Sequence, residues 1–155
     1  MQKYSKNQTT IHFKMIKDFL QKYIVEHEKS SDGGIESLLK IIKHYKGVSS
    51  PENLNFLIQN YYPKSSNNLL IKAAKNSGLT AVSCHEVTLI DIIAYNQPLI
   101  IKFRDKKNTT HFVLFTSFSN KNGFSIWDSR KDSYFLSKEQ FEEEWCANEC
   151  IAFIA

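Results

Sequence analysis

Apolar residues recur at helical spacing through the first half of the chain, and the period then shortens to that of strands. Thr10 can cap a first helix, in which Ile16, Phe19, Leu20, Tyr23 and Ile24 form one apolar stripe. The stretch from Glu26 to Gly34 is polar, ends in two glycines and reads as a loop. A second helix is predicted from about Ile35, with Leu38, Leu39, Ile41, Ile42 and Tyr45 mostly inward and Gly47 as a left-handed cap. Ser50-Pro51 opens a third, where proline's missing N–H costs nothing; Leu54, Leu57 and Ile58 supply its buried side and Pro63 ends it. Leu69 to Ser77 is a fourth helix, stopped by Gly78, and Thr88 with Asp91 starts another that runs through Ala94.

Beyond Pro98 the pattern belongs to strands. Pro98 to Phe103, His111 to Ser117 and Phe124 to Trp127 are β-rich runs, parted by the turns Asp105-Lys106-Lys107-Asn108 and Asn120-Lys121-Asn122-Gly123. Ala81 to His85 reads as a further strand. Ser137-Lys138-Glu139-Gln140 is a capping box for a last helix reaching Trp145, and Cys150 to Ile154 is apolar enough to close the sheet. Helices first and an antiparallel sheet afterwards make an α+β domain. The expected division is an amphipathic helical extension over residues 1–24 and a main domain over residues 25–155.

At 155 residues the chain can bury a real core. No apolar run is long enough to span a bilayer, and the first residues do not lead into a signal-type core. The net charge of +4 is carried by scattered lysines without an arginine-rich block, which reads as solubility; nucleic-acid binding is not expected. Cys84, Cys146 and Cys150 are odd in number and lack metal-finger spacing, so reduced, structural thiols fit better than a disulfide framework.

Candidate chemistry centres on Gly33, in the run Ser31-Asp32-Gly33-Gly34-Ile35-Glu36-Ser37-Leu38. A nucleophile opening a helix, a His in an apolar strand and an Asp shortly after would make a papain-type triad. Thr110-His111-Phe112-Val113-Leu114 and Ile126-Trp127-Asp128-Ser129 supply the second and third parts. The first is missing. His27, His111 and Asp128 are too dispersed for a metal site, so neither metal nor cofactor is expected. Cys84 lies in a strand and not at a helix start that would activate it. Acidic neighbours, Glu142 to Glu144 and Glu149, disfavour a thiolate at Cys146 or Cys150.

These residues in this order resemble the bacteriocin-processing cysteine peptidases of family thirty-nine, over roughly Val25 to Ile154. The matching pieces are Asp32-Gly33-Gly34, His44-Tyr45-Lys46-Gly47, Gly78-Leu79, Pro98, His111-Phe112-Val113-Leu114, Trp127-Asp128-Ser129 and Leu136 through Trp145. His111 follows Gly33 by 78 residues and Asp128 follows His111 by 17, separations that suit the family. The resemblance implies a papain-like fold, with helices packed on an antiparallel sheet, in a bacterial domain that commonly serves as the cytoplasmic N-terminal part of a peptidase-containing ABC exporter. It also marks departures. Gly33 stands where the family has its nucleophilic Cys, His27 where it has an oxyanion-hole Gln, and Ser129 where it has Pro.

The resemblance thus implies a degenerate member, a pseudoenzyme whose Gly33, His111, Asp128 and His27 are vestiges of a catalytic site. Such a domain would bind an unfolded secreted polypeptide or its leader peptide beside the exporter's membrane and ATPase domains. Gly33, Gly34, His111 and Trp127 are the candidate contacts, with aromatic residues such as Tyr61, Tyr62, Phe103, Phe112 and Phe115 divided between core and cleft rim. It would sit in the cytoplasm, tethered to an inner-membrane transporter. Two alternatives stay open: a leader-processing cysteine peptidase whose nucleophile is lost or mutated at Gly33, and an assembly or regulatory domain of a larger membrane protein.

Overall fold

A computed structural model describes residues 31–46, 55–56, 58–60 and 65–154. The N-terminal helix over residues 1–24, His27, Gly47, Pro51, Pro63 and the Tyr61-Tyr62 pair lie outside the described residues. The elements run α1 (Gly34–Lys46), α2 (Asn67–Asn76), β1 (Thr80–Cys84), α3 (Leu89–Tyr95), β2 (Leu99–Arg104), β3 (Thr110–Ser119), β4 (Gly123–Asp128), β5 (Asp132–Leu136), α4 (Lys138–Glu144) and β6 (Trp145–Ile154).

The helix boundaries follow from capping chemistry. Ser66 accepts a hydrogen bond from the Leu69 amide at the start of α2. Thr88 and Asp91 form a reciprocal capping box on α3, and Ser137 and Gln140 form another on α4. Ser77 closes α2, and Gly78 takes the positive φ of +84° that follows.

The six strands form one antiparallel sheet in the order β1-β6-β2-β3-β4-β5. Both faces are covered. Against one lie α1 and α2, whose Leu38, Ile41, Ile42, Leu70 and Ala73 meet Ile100, Phe112, Leu114, Ile151 and Phe153 of the sheet. On the other, Ile92 of α3 and Phe141 of α4 close over Leu99, Ile101, Phe103, Val113, Phe115, Phe124 and Ile126. Two-sided burial explains why Leu99–Ile101 and Phe112–Phe115 are continuously apolar and do not alternate.

Two elements differ from the sequence reading. Asp132–Leu136 is a strand, β5, where none was expected; it is an edge strand with only Leu136 buried, so its pattern carries little strand signal. The closing strand begins at Trp145, five residues before Cys150. Its first part bulges: β2–β6 register passes from Ile101 opposite Cys150 to Phe103 opposite Trp145, and Ala147 and Asn148 take positive φ in between.

The face under α4 depends on stacked rings. Phe141 lies flat on Phe124 at 4.4 Å between centroids and edge-on to Phe103 at 5.4 Å, and all three are fully buried. Phe141→Ala removes the ring that joins α4 to the sheet, at an expected cost of about 3–5 kcal/mol. Urea unfolding of the two proteins checks this; a loss under about 1 kcal/mol would mean that α4 adds little.

Candidate functional site

The site is built where β3 outruns its neighbour. β4 ends at Asp128, and its pairing with β3 starts at Leu114 opposite Trp127, so the edge of β3 at Phe112 has no strand beside it. The loop entering α1 takes that place. The Phe112 amide donates to the Asp32 carbonyl at 2.6 Å. Asp32 fixes the loop in turn: its carboxylate accepts from the Gly34 amide at 3.0 Å, from the Ser65 hydroxyl at 3.3 Å and from the Ser65 amide. From the far side, the Arg130 guanidinium donates to the Ser31 carbonyl at 2.9 Å.

This docking leaves no room for a side chain at position 33. Gly33 has φ +83°, a left-handed conformation that a β-carbon disfavours. A β-carbon built there would overlap the carbonyl oxygen of Phe112 and lie 3.5 Å from the Ser129 hydroxyl. Gly34 is crowded too, by the Ser65 side chain. Glycine at 33 is therefore a requirement of the backbone as well as the absence of a thiol.

The other two expected parts are together. His111 and Asp128 are both buried, and His111 Nε2–H donates to Asp128 Oδ2 at 2.9 Å. The Phe103 ring stands edge-on to the imidazole at 6.5 Å between centroids. Burial alone would raise the Asp128 carboxyl, but the hydrogen bond from His111, another from the Arg130 amide, and the charges of His111 and Arg130 outweigh it, so the group lies below its ordinary 3.8. That pairing occupies one imidazole nitrogen. The other, Nδ1, is buried without a hydrogen-bond partner, as is the Ser37 hydroxyl on α1.

Of the candidate contacts, Gly33, Gly34 and His111 are buried, and Trp127 is half-buried with the Lys40 ammonium 4.5 Å from its ring centroid. Phe103, Phe112 and Phe115 are core residues, not rim residues. Ser31, Asp32, Ser65 and Arg130 were missed as site residues. For Asp32 a signal existed, since Asp before Gly-Gly is a turn-forming sequence whose carboxylate bonds its own backbone two residues on; nothing local marks Arg130. Near the docked loop, Asn67, Lys102, Phe112, Cys146, Glu149 and Ile151 line an opening of about 100 Å³, below the range of small-molecule sites. Among the described residues no three metal-ligating side chains converge, and no helix is long and apolar enough to cross a membrane.

The sequence profile described as the Peptidase C39 family matches residues 21–154. The chain belongs to that family. Solved C39-type structures share its fold. A double-glycine-motif protease from an AMS/PCAT transporter, in complex with its leader peptide, is 24% identical over 78% of this chain and 82% of its own, with a TM-score of 0.63. The peptidase domain of Streptococcus ComA, a bifunctional ABC transporter, is 23% identical over 79% and 90%, also at 0.63. The N-terminal C39-like domain of a toxin-secretion ATP-binding protein from Vibrio parahaemolyticus is 18% identical over 81% and 98%, at 0.62. No curated protein matches the chain significantly.

One group beside the docked loop gives a pH test. Glu36 accepts from the Ser31 hydroxyl at 2.9 Å in the first turn of α1. Burial pushes its carboxyl above the ordinary 4.5; its own backbone N–H and the Ser31 hydroxyl oppose this, the Asp32 charge adds to it and Arg130 offsets it. A raised acid keeps its proton longer folded than unfolded, so stability is lost as pH climbs from about 4.5 through the folded value. Glu36→Gln keeps an acceptor for Ser31 and removes the charge. It is expected to match the parent's Tm near pH 4 and exceed it at pH 7; an advantage independent of pH would contradict the assignment.

Proposed function

We propose that this C39 domain binds an extended secreted polypeptide, or its leader, beside an ABC-type exporter and does not cut it. The observation that carries this reading is the main chain at position 33. A family peptidase needs a thiol beside the histidine, and here the Phe112 carbonyl fills the volume that a side chain would take. His111 and Asp128 keep the base and its orienting partner, but a base with no nucleophile to activate cannot open a peptide bond. Losing a triad nucleophile costs on the order of a million-fold in turnover. His27, where the family pattern has its oxyanion glutamine, points the same way.

What a closed site retains is a surface. The small opening beside the docked loop, lined by Lys102, Phe112 and Glu149, offers polar and apolar groups to an extended strand. Binding there orders a flexible chain, so affinity is modest and the unfolded form of a cargo is preferred over the folded one. The domain would then act from the cytoplasmic side of an inner-membrane transporter, with residues 1–24 as an extension outside the main domain.

Two measurements test this. Titrating labelled, denatured secreted polypeptides and double-glycine leader peptides, with folded cargo as control, should give binding to the extended forms alone. Equal binding to folded and unfolded cargo, or none to either, would favour an assembly domain. Gly33→Cys should leave such leader peptides uncut and lower stability by about 1–3 kcal/mol, because a β-carbon is forced into a left-handed conformation against Phe112. Leader cleavage by that variant, with stability unchanged, would instead identify a peptidase that lost only its nucleophile.

A further inference from the structure

Two of the three thiols face each other across neighbouring strands. In the antiparallel pair β1–β6, Cys84 stands directly opposite Cys150. Both side chains lie on the sheet face under α3, Cys150 within the core that holds Ile92, Leu99 and Ile101, and Cys84 packed against its border. Directly opposed residues of such a pair have Cα atoms about 4.5–5.5 Å apart, inside the roughly 4.4–6.8 Å that a disulfide spans. Bridging them therefore asks for side-chain rotation and no movement of strands.

The environments of the two sulfurs differ in a way that assigns an order of events. Cys84 is half-buried at the sheet edge, its thiol 3.8 Å from the Val82 carbonyl. Cys150 is only 5% exposed. Burial, followed by the charge and hydrogen bond of the Cys84 thiol beside it, pushes Cys150 up to about 12. An oxidant from solvent reaches Cys84 first, and Cys150 is the partner waiting behind it. Cys146 stands apart beyond the bulge at Ala147 and Asn148, with the Arg104 guanidinium donating to its sulfur at 3.4 Å.

We propose that Cys84 and Cys150 are a redox pair that closes into a disulfide on exposure to a hydroperoxide, fastening edge strand β1 to β6. The Cys84 thiolate attacks the peroxide oxygen, the O–O bond breaks, and Cys84 sulfenic acid forms with release of water or alcohol. Cys150 sulfur then attacks the sulfenic sulfur, forms the S–S bond and expels hydroxide, which leaves as water with the Cys150 proton. Two thiols are oxidised by two electrons and one peroxide is reduced. The bridge would lock the strand that only β6 holds in the sheet, and enclose everything from α3 to α4 in one covalent loop.

The whole chain, treated with hydrogen peroxide and then alkylated, tests this by mass. The expected product is a monomer lighter by about 2 Da before alkylation and carrying a single alkyl group, on Cys146, after it, with a non-reducing peptide map joining Cys84 to Cys150. Its Tm should rise by roughly 5–15 °C and return on reduction. Cys146→Ser should behave identically, while Cys84→Ser and Cys150→Ser should each lose both effects. Should Cys150→Ser not fold, Cys84→Ser, at the half-buried position, carries the comparison. A bridge involving Cys146, or Cys84 accumulating as sulfinic acid with Cys150 still free, would overturn the proposal.

Discussion

The contact on which this molecule turns is main chain against main chain: residues 32–33 laid on the free edge of β3 at Phe112. One hydrogen bond, from the Phe112 amide to the Asp32 carbonyl, and one close approach, of the Phe112 carbonyl to Gly33, fix the loop that enters α1 on the sheet. Asp32 and Arg130 hold the loop from either side. The same contact starts α1 at the edge of the sheet, sets position 33 against Phe112 and Ser129, the chain neighbours of His111 and Asp128, and leaves no space there for a side chain.

The His111–Asp128 pair then takes on a structural character. A buried imidazole bonded to a buried carboxylate holds the end of β4 against the start of β3, where strand pairing has stopped. Removing Asp128 would leave the buried His111 with neither ring nitrogen bonded, and removing His111 would leave the buried Asp128 carboxylate with the Arg130 amide alone, in each case a heavier penalty than the bond itself is worth. The pair therefore has a structural reason to be present whether or not it does chemistry. The unpartnered Nδ1 of His111 marks what the arrangement lacks.

Much of this was legible in the residues. Capping pairs at Thr88 and Ser137 fixed two helix starts, because a short polar side chain and a partner three residues on satisfy specific amides. His111 and Asp128 were identified as a pair, and the family resemblance carried by ordered short motifs was right. Other features depend on information that no local pattern holds. Glycine at 33 read as a missing side chain; that the backbone also forbids one became visible only with β3 in place. The β5 strand lies at an edge with one buried residue, and the bulge at Ala147 and Asn148 hid the start of β6. Cysteine spacing gave only reduced, structural thiols, whereas strand register sets Cys84 opposite Cys150.

The docked loop can be observed directly through the Phe112 amide. It lies on the side of β3 that β4 does not reach, where its hydrogen-bond acceptor is the Asp32 carbonyl. Native-state hydrogen exchange by NMR should find this amide protected to the same degree as those of Val113 and Leu114 in the core of β3. Exchange at the rate of an exposed edge amide would mean that the loop stands off the strand and position 33 is open, and the account of a closed site would fail.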